Sequence, residues 1–220
     1  MVKYCIFDLD GTLLNTLPTI KHHLNTTLVN WGLSPVGDAE TKRYIGDGAY
    51  KLIYRAFSEQ GITDEEKIAA AVREYKAAYD NEPYYLTKIY DGIVDALDTL
   101  QGAGVTLAVL SNKPNEATEA VISHFLPNRF EIARGGIDGI PLKPDSAAPL
   151  SLVKQLGGLA SECAFVGDTS VDILTGRNMG ACVTVGVSWG FRERAELLDA
   201  GADVVIDHPS GLADALGVAQ

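Results

Sequence analysis

The sequence predicts an α/β fold, a parallel sheet with helices on its faces, interrupted once by a helical insert. Three observations carry that expectation. The first is the run Val2, Tyr4, Cys5, Ile6 and Phe7, too uniformly apolar for a half-exposed strand and suited to one buried on both faces, as in parallel sheets. The second is recurrence. VTLAVLS at 105–111, CAFVGD at 163–168 and CVTVGVS at 182–188 are short runs rich in β-branched residues, each closed by a polar residue. In LQGAGVTLAVL, RNMGACVTVGV and LDAGADVVI a helix-like segment and a glycine precede the strand run, and the glycine suits a left-handed helix cap. The third observation is a stretch from about Thr16 to Pro83 with no strand run. There Leu17, Ile20, Leu24, Leu28 and Trp31 recur at helical spacing, as do Leu52, Ile53, Ala56 and Phe57, and then Ile68, Val72, Tyr75 and Tyr79.

Right-handed crossovers place the carboxyl ends of all the parallel strands on one rim, where ligands bind in open α/β sheets. Asp8, Asp10, Ser111 and Asp168 are therefore expected to converge although they are far apart in sequence. FDLDGTLLNT at 7–16 sets Asp8 and Asp10 at the tip of the first strand, where ionised carboxylates would be costly without a cation. Gly11 allows the backbone to turn sharply, and the Thr12 hydroxyl can fix the turn. Taken alone, such a pair of aspartates reads more readily as an acidic turn capping a helix than as a catalytic pair; the partners elsewhere in the chain favour catalysis.

FDLDGTLLNT, VLSNK at 109–113, the lysine of PLKPD at 141–145 and FVGDTSVDILTGRNMGA at 165–181 resemble, in order and spacing, the four motifs of haloacid-dehalogenase-superfamily phosphatases. IGDGAYKLIYRAF at 45–57 is similar to the cap region of the phosphoglycolate phosphatase subgroup. The resemblance covers nearly the whole chain. It implies a Rossmann-like core of residues 1–15 and 84–220 with an α-helical cap at 16–83, and magnesium-dependent hydrolysis of a small phosphate monoester, most readily 2-phosphoglycolate.

Under this resemblance Asp8 is the nucleophile that forms an aspartyl-phosphate, and Asp10 the general acid for the leaving alcohol and then the base for water. Ser111 and the amide of Asn112 bind the phosphoryl group, and Lys143 bridges phosphate and Asp8. Magnesium suits an all-oxygen site made by Asp8, the backbone carbonyl of Asp10, Asp168 and waters. Asp172, four residues after Asp168, supports Asp168 or Lys143, and an N-terminal helix aspartate favoured by the dipole is its plainer reading. Gly46 and Gly48, flanking Asp47, form an expected specificity loop. Without the resemblance they read equally as a flexible helix entry.

Length and composition agree with an enzyme of this size. The chain has 220 residues, 46% hydrophobic and 21% charged, enough for a domain with an insert and a sizeable core. No apolar stretch is long enough to cross a bilayer, and MVKYCIFDLD reads as the first strand rather than a leader, so a cytoplasmic location is expected. Cys5, Cys163 and Cys182 are odd in number and lie in strand runs, which predicts buried free thiols and a reducing compartment. The net charge of -11 argues against nucleic acid as a partner. It also requires a local positive site, from a divalent cation, Lys143 and backbone amides, to draw a small phosphorylated metabolite into an acidic protein. A monomer or homodimer fits the length.

His22 and His23 are expected on a solvated helix face, Tyr84 and Tyr85 in hinge packing, and Trp189, Phe191 and Arg192 in a rim loop or a packed aromatic turn. Asn15 and the Tyr90-Asp91-Gly92 triplet depart from the subgroup's frequent Asp and Tyr-Pro-Gly, and neither removes a catalytic group. Rival readings divide on particular residues. A dehalogenase would not need Asp10, and a phosphonatase needs a cap lysine that no motif specifies among Lys21, Lys42 and Lys51. A phosphomutase, a phosphatase for sugar phosphates, nucleotides or pyrophosphate, and a silent phosphate-binding protein are the remaining alternatives.

Overall fold

The computed structural model describes residues 1–218. The chain divides into two compact units, one formed by Met1–Asn15 with the chain from Lys88 onward, the other by Thr16–Thr87. The second crossing thus falls after Thr87 rather than after Pro83. Thr19 explains the four extra residues: its hydroxyl bonds the Tyr85 carbonyl and lies 2.7 Å from the Thr87 hydroxyl, tying this segment to the helical unit.

The first unit is built on a six-stranded sheet. Strand β1 (Tyr4–Phe7) pairs in parallel with β4 (Thr106–Pro114) on one side and β6 (Cys163–Gly167) on the other. Beyond them lie β5 (Ile132–Gly136), β7 (Val183–Val187) and β8 (Val204–Ile206), giving the order β5-β4-β1-β6-β7-β8. Phe7 stands opposite both Val109 and Val166, and that register brings the segments after them, with Asp8, Ser111 and Asp168, to one rim. The two-residue strands β2 (Leu14–Asn15) and β3 (Lys88–Ile89) form a separate antiparallel ribbon.

Side chains alternate across the sheet. Cys5 and Phe7 join one core cluster with Val109 and Val166, while Ile6 joins another with Leu110, Leu152 and Phe165. Helices α5 (Ile93–Gly102) and α6 (Asn115–Phe125) bury residues of the first cluster, as does α10 (Leu212–Ala215). Helices α7 (Ala147–Gln155) and α8 (Ser170–Met179) bury residues of the second. Leu197 of α9 (Arg194–Asp199) packs with Ile173 and Val205. Burial of β1 on both faces explains its unbroken apolar run, with Phe7 wholly buried and worth about 1.5–3 kcal/mol. Gly180 closes α8 in the left-handed conformation, φ 77°, as its place before β7 predicts.

The helical unit contains α1 (Leu17–Asn30), α2 (Asp38–Tyr44), α3 (Gly48–Ser58) and α4 (Glu65–Asn81). Ile20, Leu24 and Leu28 of α1 share one core with Leu52, Ile53 and Phe57 of α3 and Ile68, Tyr75 and Tyr79 of α4. Pro18 in the first turn of α1 and the Asp64 cap of α4, which accepts the Lys67 amide at 2.9 Å, fix where these helices begin.

Two side chains, His23 and Cys182, differ from expectation. His23 is buried, not solvated: its ring packs on Tyr79 with centroids 5.2 Å apart, and its Nε2 lies 3.4 Å from the Glu82 carbonyl. His22 is exposed and packs on Tyr85, while Tyr84 and Tyr85 themselves keep more than a third of their surface in solvent. Cys182 is exposed, unlike buried Cys5 and Cys163, because it lies in the turn before β7; its thiol donates to the Cys163 carbonyl at 3.2 Å.

Candidate active site

The site is assembled from the strand ends of the first unit. Leaving β1, the Asp8 amide donates to the Val166 carbonyl at 2.9 Å, which extends the sheet by one residue and holds the Asp8 backbone against β6. The chain then curls. The Leu9 carbonyl accepts the amides of Thr12, Leu13 and Leu14, and the Gly11 amide donates to the Leu14 carbonyl at 2.8 Å. Gly11 adopts φ 88°, a conformation that favours glycine, and a β-carbon there would fall inside contact distance of the Asp168 carboxylate. The Trp189 indole donates to the Thr12 carbonyl at 3.0 Å, so this side chain braces the turn.

Lys143 is the hub. Its ammonium lies 2.7 Å from Oδ1 of Asp8 and 2.7 Å from Oδ1 of Asp172, and its side chain is only 3% exposed. The second oxygen of Asp172 accepts the Thr169 amide at 3.1 Å and the Thr169 hydroxyl at 2.8 Å, a capping box at the start of α8. Asp168 is held from two sides: the Thr12 hydroxyl donates to its Oδ1 at 3.1 Å and the Phe191 amide to its Oδ2 at 2.7 Å. Gly167 and Gly190 let the carboxylates come this close to backbone, since a β-carbon on Gly167 would overlap Asp172 and one on Gly190 would overlap Asp168.

Ser111 and Asn112 lie at the end of β4. The Ser111 hydroxyl oxygen accepts the Lys113 amide at 3.2 Å, which leaves its proton for an incoming acceptor. Asn112 has a role the sequence did not suggest. Its side chain accepts the Lys143 amide at 2.8 Å and donates to the Lys143 carbonyl at 3.1 Å, clamping the backbone that carries the lysine. Asp10 faces a second cation, Lys113, with Nζ 3.5 Å from Oδ1. Sequence reasoning passed over Lys113 although it closes the VLSNK motif, and it could not see the Phe191 amide, a backbone donor that carries no sequence signal.

Asp8, Asp168 and Asp172 are all buried, and one oxygen from each lies within 4.8 Å of the others. Asp172 therefore belongs to the same acidic cluster as Asp8 and Asp168, rather than only behind it. Three carboxylates are clustered, and one ammonium pairs with two of them. When all are ionised, two negative charges are in excess. The electrostatics follow: burial, then Asp172, push the Asp8 carboxyl up to about 7 against the opposing pull of Lys143. Asp168 is driven well above the usual carboxylate range by burial and by the Asp172 and Asp8 charges, partly offset by the Phe191 amide and the Thr12 hydroxyl. Burial lowers Lys143, but Asp172 and Asp8 outweigh it and keep the lysine charged. Burial together with Asp168 and Asp10 raises the Tyr90 phenol, so it stays neutral beside the site. A hard divalent cation fits this all-oxygen donor set and would balance the excess charge.

The Gly46–Gly48 segment belongs to the helical unit. Gly46 and Gly48 have φ of 125° and 82°, and Asp47 caps α3 and forms an ion pair with Arg55. Arg55 also donates to the Tyr44 carbonyl at 2.8 Å, joining the end of α2 to this loop.

Comparison with known proteins places this geometry in a family. The haloacid dehalogenase-like hydrolase family model matches residues 5–186. The chain belongs to the haloacid dehalogenase-like hydrolases. Over 226 aligned residues it is 34% identical to a phosphoglycolate phosphatase of Rhodospirillum rubrum, covering 100% of this chain and 93% of the relative. A phosphoglycolate phosphatase of Agrobacterium fabrum is 33% identical, with 96% and 91% covered. Among solved structures, a proposed phosphoglycolate phosphatase from Lactobacillus delbrueckii superposes with TM-score 0.92 at 30% identity, covering 97% of this chain and 98% of its own. A haloacid dehalogenase-like family hydrolase from Streptococcus pneumoniae shares the fold, with TM-score 0.85 at 20% identity and 97% of each chain covered.

Proposed function

We propose that this hydrolase is a magnesium-dependent phosphoric monoester hydrolase whose substrate is 2-phosphoglycolate. The observation that carries the reaction class is the Lys143 ammonium shared between Asp8 and Asp172, with Asp168 in the same buried cluster. The names of the full-length relatives support the substrate.

An oxygen of Asp8 attacks the phosphorus, and the bond from phosphorus to the ester oxygen breaks as Asp10 gives its proton to the leaving alkoxide. Ser111 donates its hydroxyl proton to a phosphoryl oxygen, while Lys143 neutralises the transferring group as a point charge. In the second half, ionised Asp10 takes a proton from water, whose oxygen attacks phosphorus and displaces Asp8. Inorganic phosphate leaves, and both aspartates return to their starting forms. Magnesium, held by Asp8, Asp168 and the Asp10 carbonyl, would supply charge neutralisation and alignment of the phosphoryl oxygens. Asp172 and Thr169 keep Lys143 aimed at the phosphate.

The helical unit acts as a cap, and its Gly46–Gly48 loop selects the substrate. No helix among the described residues is long and apolar enough to cross a membrane, and the free cysteines suit a reducing cytoplasm. Phosphate release from a panel of 2-phosphoglycolate, sugar phosphates, nucleotides and pyrophosphate, with and without magnesium, tests the reading. The expected result is magnesium-dependent release with the highest kcat/KM for 2-phosphoglycolate. Another preferred substrate would replace phosphoglycolate, and the lack of any turnover would reject the enzyme.

A further inference from the structure

The site contains a second cation that the phosphoryl chemistry does not use. Lys113 lies on β4 two residues beyond Ser111, its amide on the Ser111 hydroxyl oxygen, and its side chain runs to Asp10. That side chain is 7% exposed, and the Asp10 side chain 16%. A cation so nearly buried requires negative partners. Its separation from Asp10, 3.5 Å, is longer than a close charge-assisted hydrogen bond of about 2.7–2.9 Å. The contact is an electrostatic pairing with one oxygen of Asp10.

We propose that Lys113 receives the carboxylate of the leaving group, and so makes the sheet-bearing unit itself selective for phosphate esters that carry an acid next to the ester oxygen. The inference rests on the phosphoglycolate reading and gives that reading a charge-recognising residue. The reasoning is geometric. To protonate the leaving oxygen, Asp10 must approach it to about 2.6–3.2 Å. In a 2-phospho acid the carboxylate begins two bonds beyond that oxygen, so its own oxygens lie only about 3 Å away. An ammonium 3.5 Å from Asp10 therefore stands in the neighbourhood of the leaving group, where a rotatable lysine side chain can reach the substrate carboxylate. A lysine suits the task because its ammonium is a point charge with rotatable donors, able to serve Asp10 and a second carboxylate without a fixed fork. An uncharged alcohol offers it nothing comparable. Charge recognition by Lys113 and selection by the Gly46–Gly48 loop would be separate contributions.

The test compares 2-phosphoglycolate with 2-hydroxyethyl phosphate, which replaces the carboxylate by an alcohol, in the full chain with magnesium. The readout is the ratio of their kcat/KM values, which a purely structural defect leaves alone because it lowers both. Wild type should favour the acid, and Lys113→Gln should cut the ratio at least about tenfold, as expected for a lost hydrogen bond between charged groups. Should that variant fold poorly, Lys113→Met, which keeps an apolar stem, is measured on the same pair with the same expectation. Equal losses on both esters would overturn the proposal and make Lys113 a support for Asp10. A wild-type ratio near one would instead reject the phosphoglycolate reading and this inference with it; a high wild-type ratio untouched by substitution would reject the role of Lys113 alone.

Discussion

The Lys143 ammonium stands 2.7 Å from Oδ1 of Asp172, whose other oxygen is held by the amide and hydroxyl of Thr169. The lysine is thus anchored to the first turn of α8 and reaches Asp8 from there. Asp172→Ala should lower kcat by about tenfold to a hundredfold, the range for losing a group that orients a reacting one. Thr169→Ala should do less, since the backbone amide remains. Steady-state kinetics on the two variants checks the order, and a larger loss in Thr169→Ala would contradict the anchoring.

Asp8→Asn and Asp10→Asn should each reduce turnover by at least about a hundredfold, because each removes a distinct step. They differ in what accumulates. Rapid quench with labelled substrate should find no covalent phosphate on Asp8→Asn; finding it there would reassign the nucleophile.

Asp168→Ala should weaken magnesium binding by about tenfold or more, read by titration calorimetry. The Thr12 hydroxyl and Phe191 amide that hold this carboxylate would lose their acceptor as well, so a fall in melting temperature should accompany the change. Unaltered affinity would remove Asp168 from the ligand set.

The raised Asp8 carboxyl gives a pH prediction. Its folded-state value of about 7 exceeds an unfolded value of about 3.9. Ionising Asp8 therefore works against the fold: its contribution is complete below about pH 4 and is lost as pH rises through about 7. In chelator, Asp8→Asn should match wild type in melting temperature near pH 4 and exceed it increasingly up to pH 8. Magnesium should recover wild type at pH 8 by binding the ionised cluster. A difference constant from pH 5 to 8 would contradict the shift.

Gly48 begins α3 at φ 82°, where a β-branched side chain is strained. Gly48→Val should reduce kcat/KM for 2-phosphoglycolate more than for an aryl phosphate, because the phosphoryl site lies on other residues. Equal losses would deny the loop a part in selection.

Most of the sheet was legible because its strands are buried on both faces, which writes uninterrupted apolar runs into β1, β4, β6 and β7. Strand β5 was not, since Ile132, Ala133 and Arg134 sit half-buried at the sheet edge with glycines after them. The carboxylates and Lys143 were visible through motif order. Their holders were harder to read: the Asn112 side chain grips a backbone 31 residues away, and the Phe191 amide reaches Asp168 across 23 residues. His23 was misjudged because the polar positions of α1 do not all face water, and the Tyr79 ring supplies a surface that no local pattern announces.

Gly11, Gly167 and Gly190 let backbone abut the Asp168 and Asp172 carboxylates with no room for a methyl group. The floor of the site is therefore closed to redesign: any side chain added at these positions displaces the acids instead of reshaping the pocket. Efforts to retarget this hydrolase to new esters should leave that floor alone and vary residues that do not pack against these three glycines.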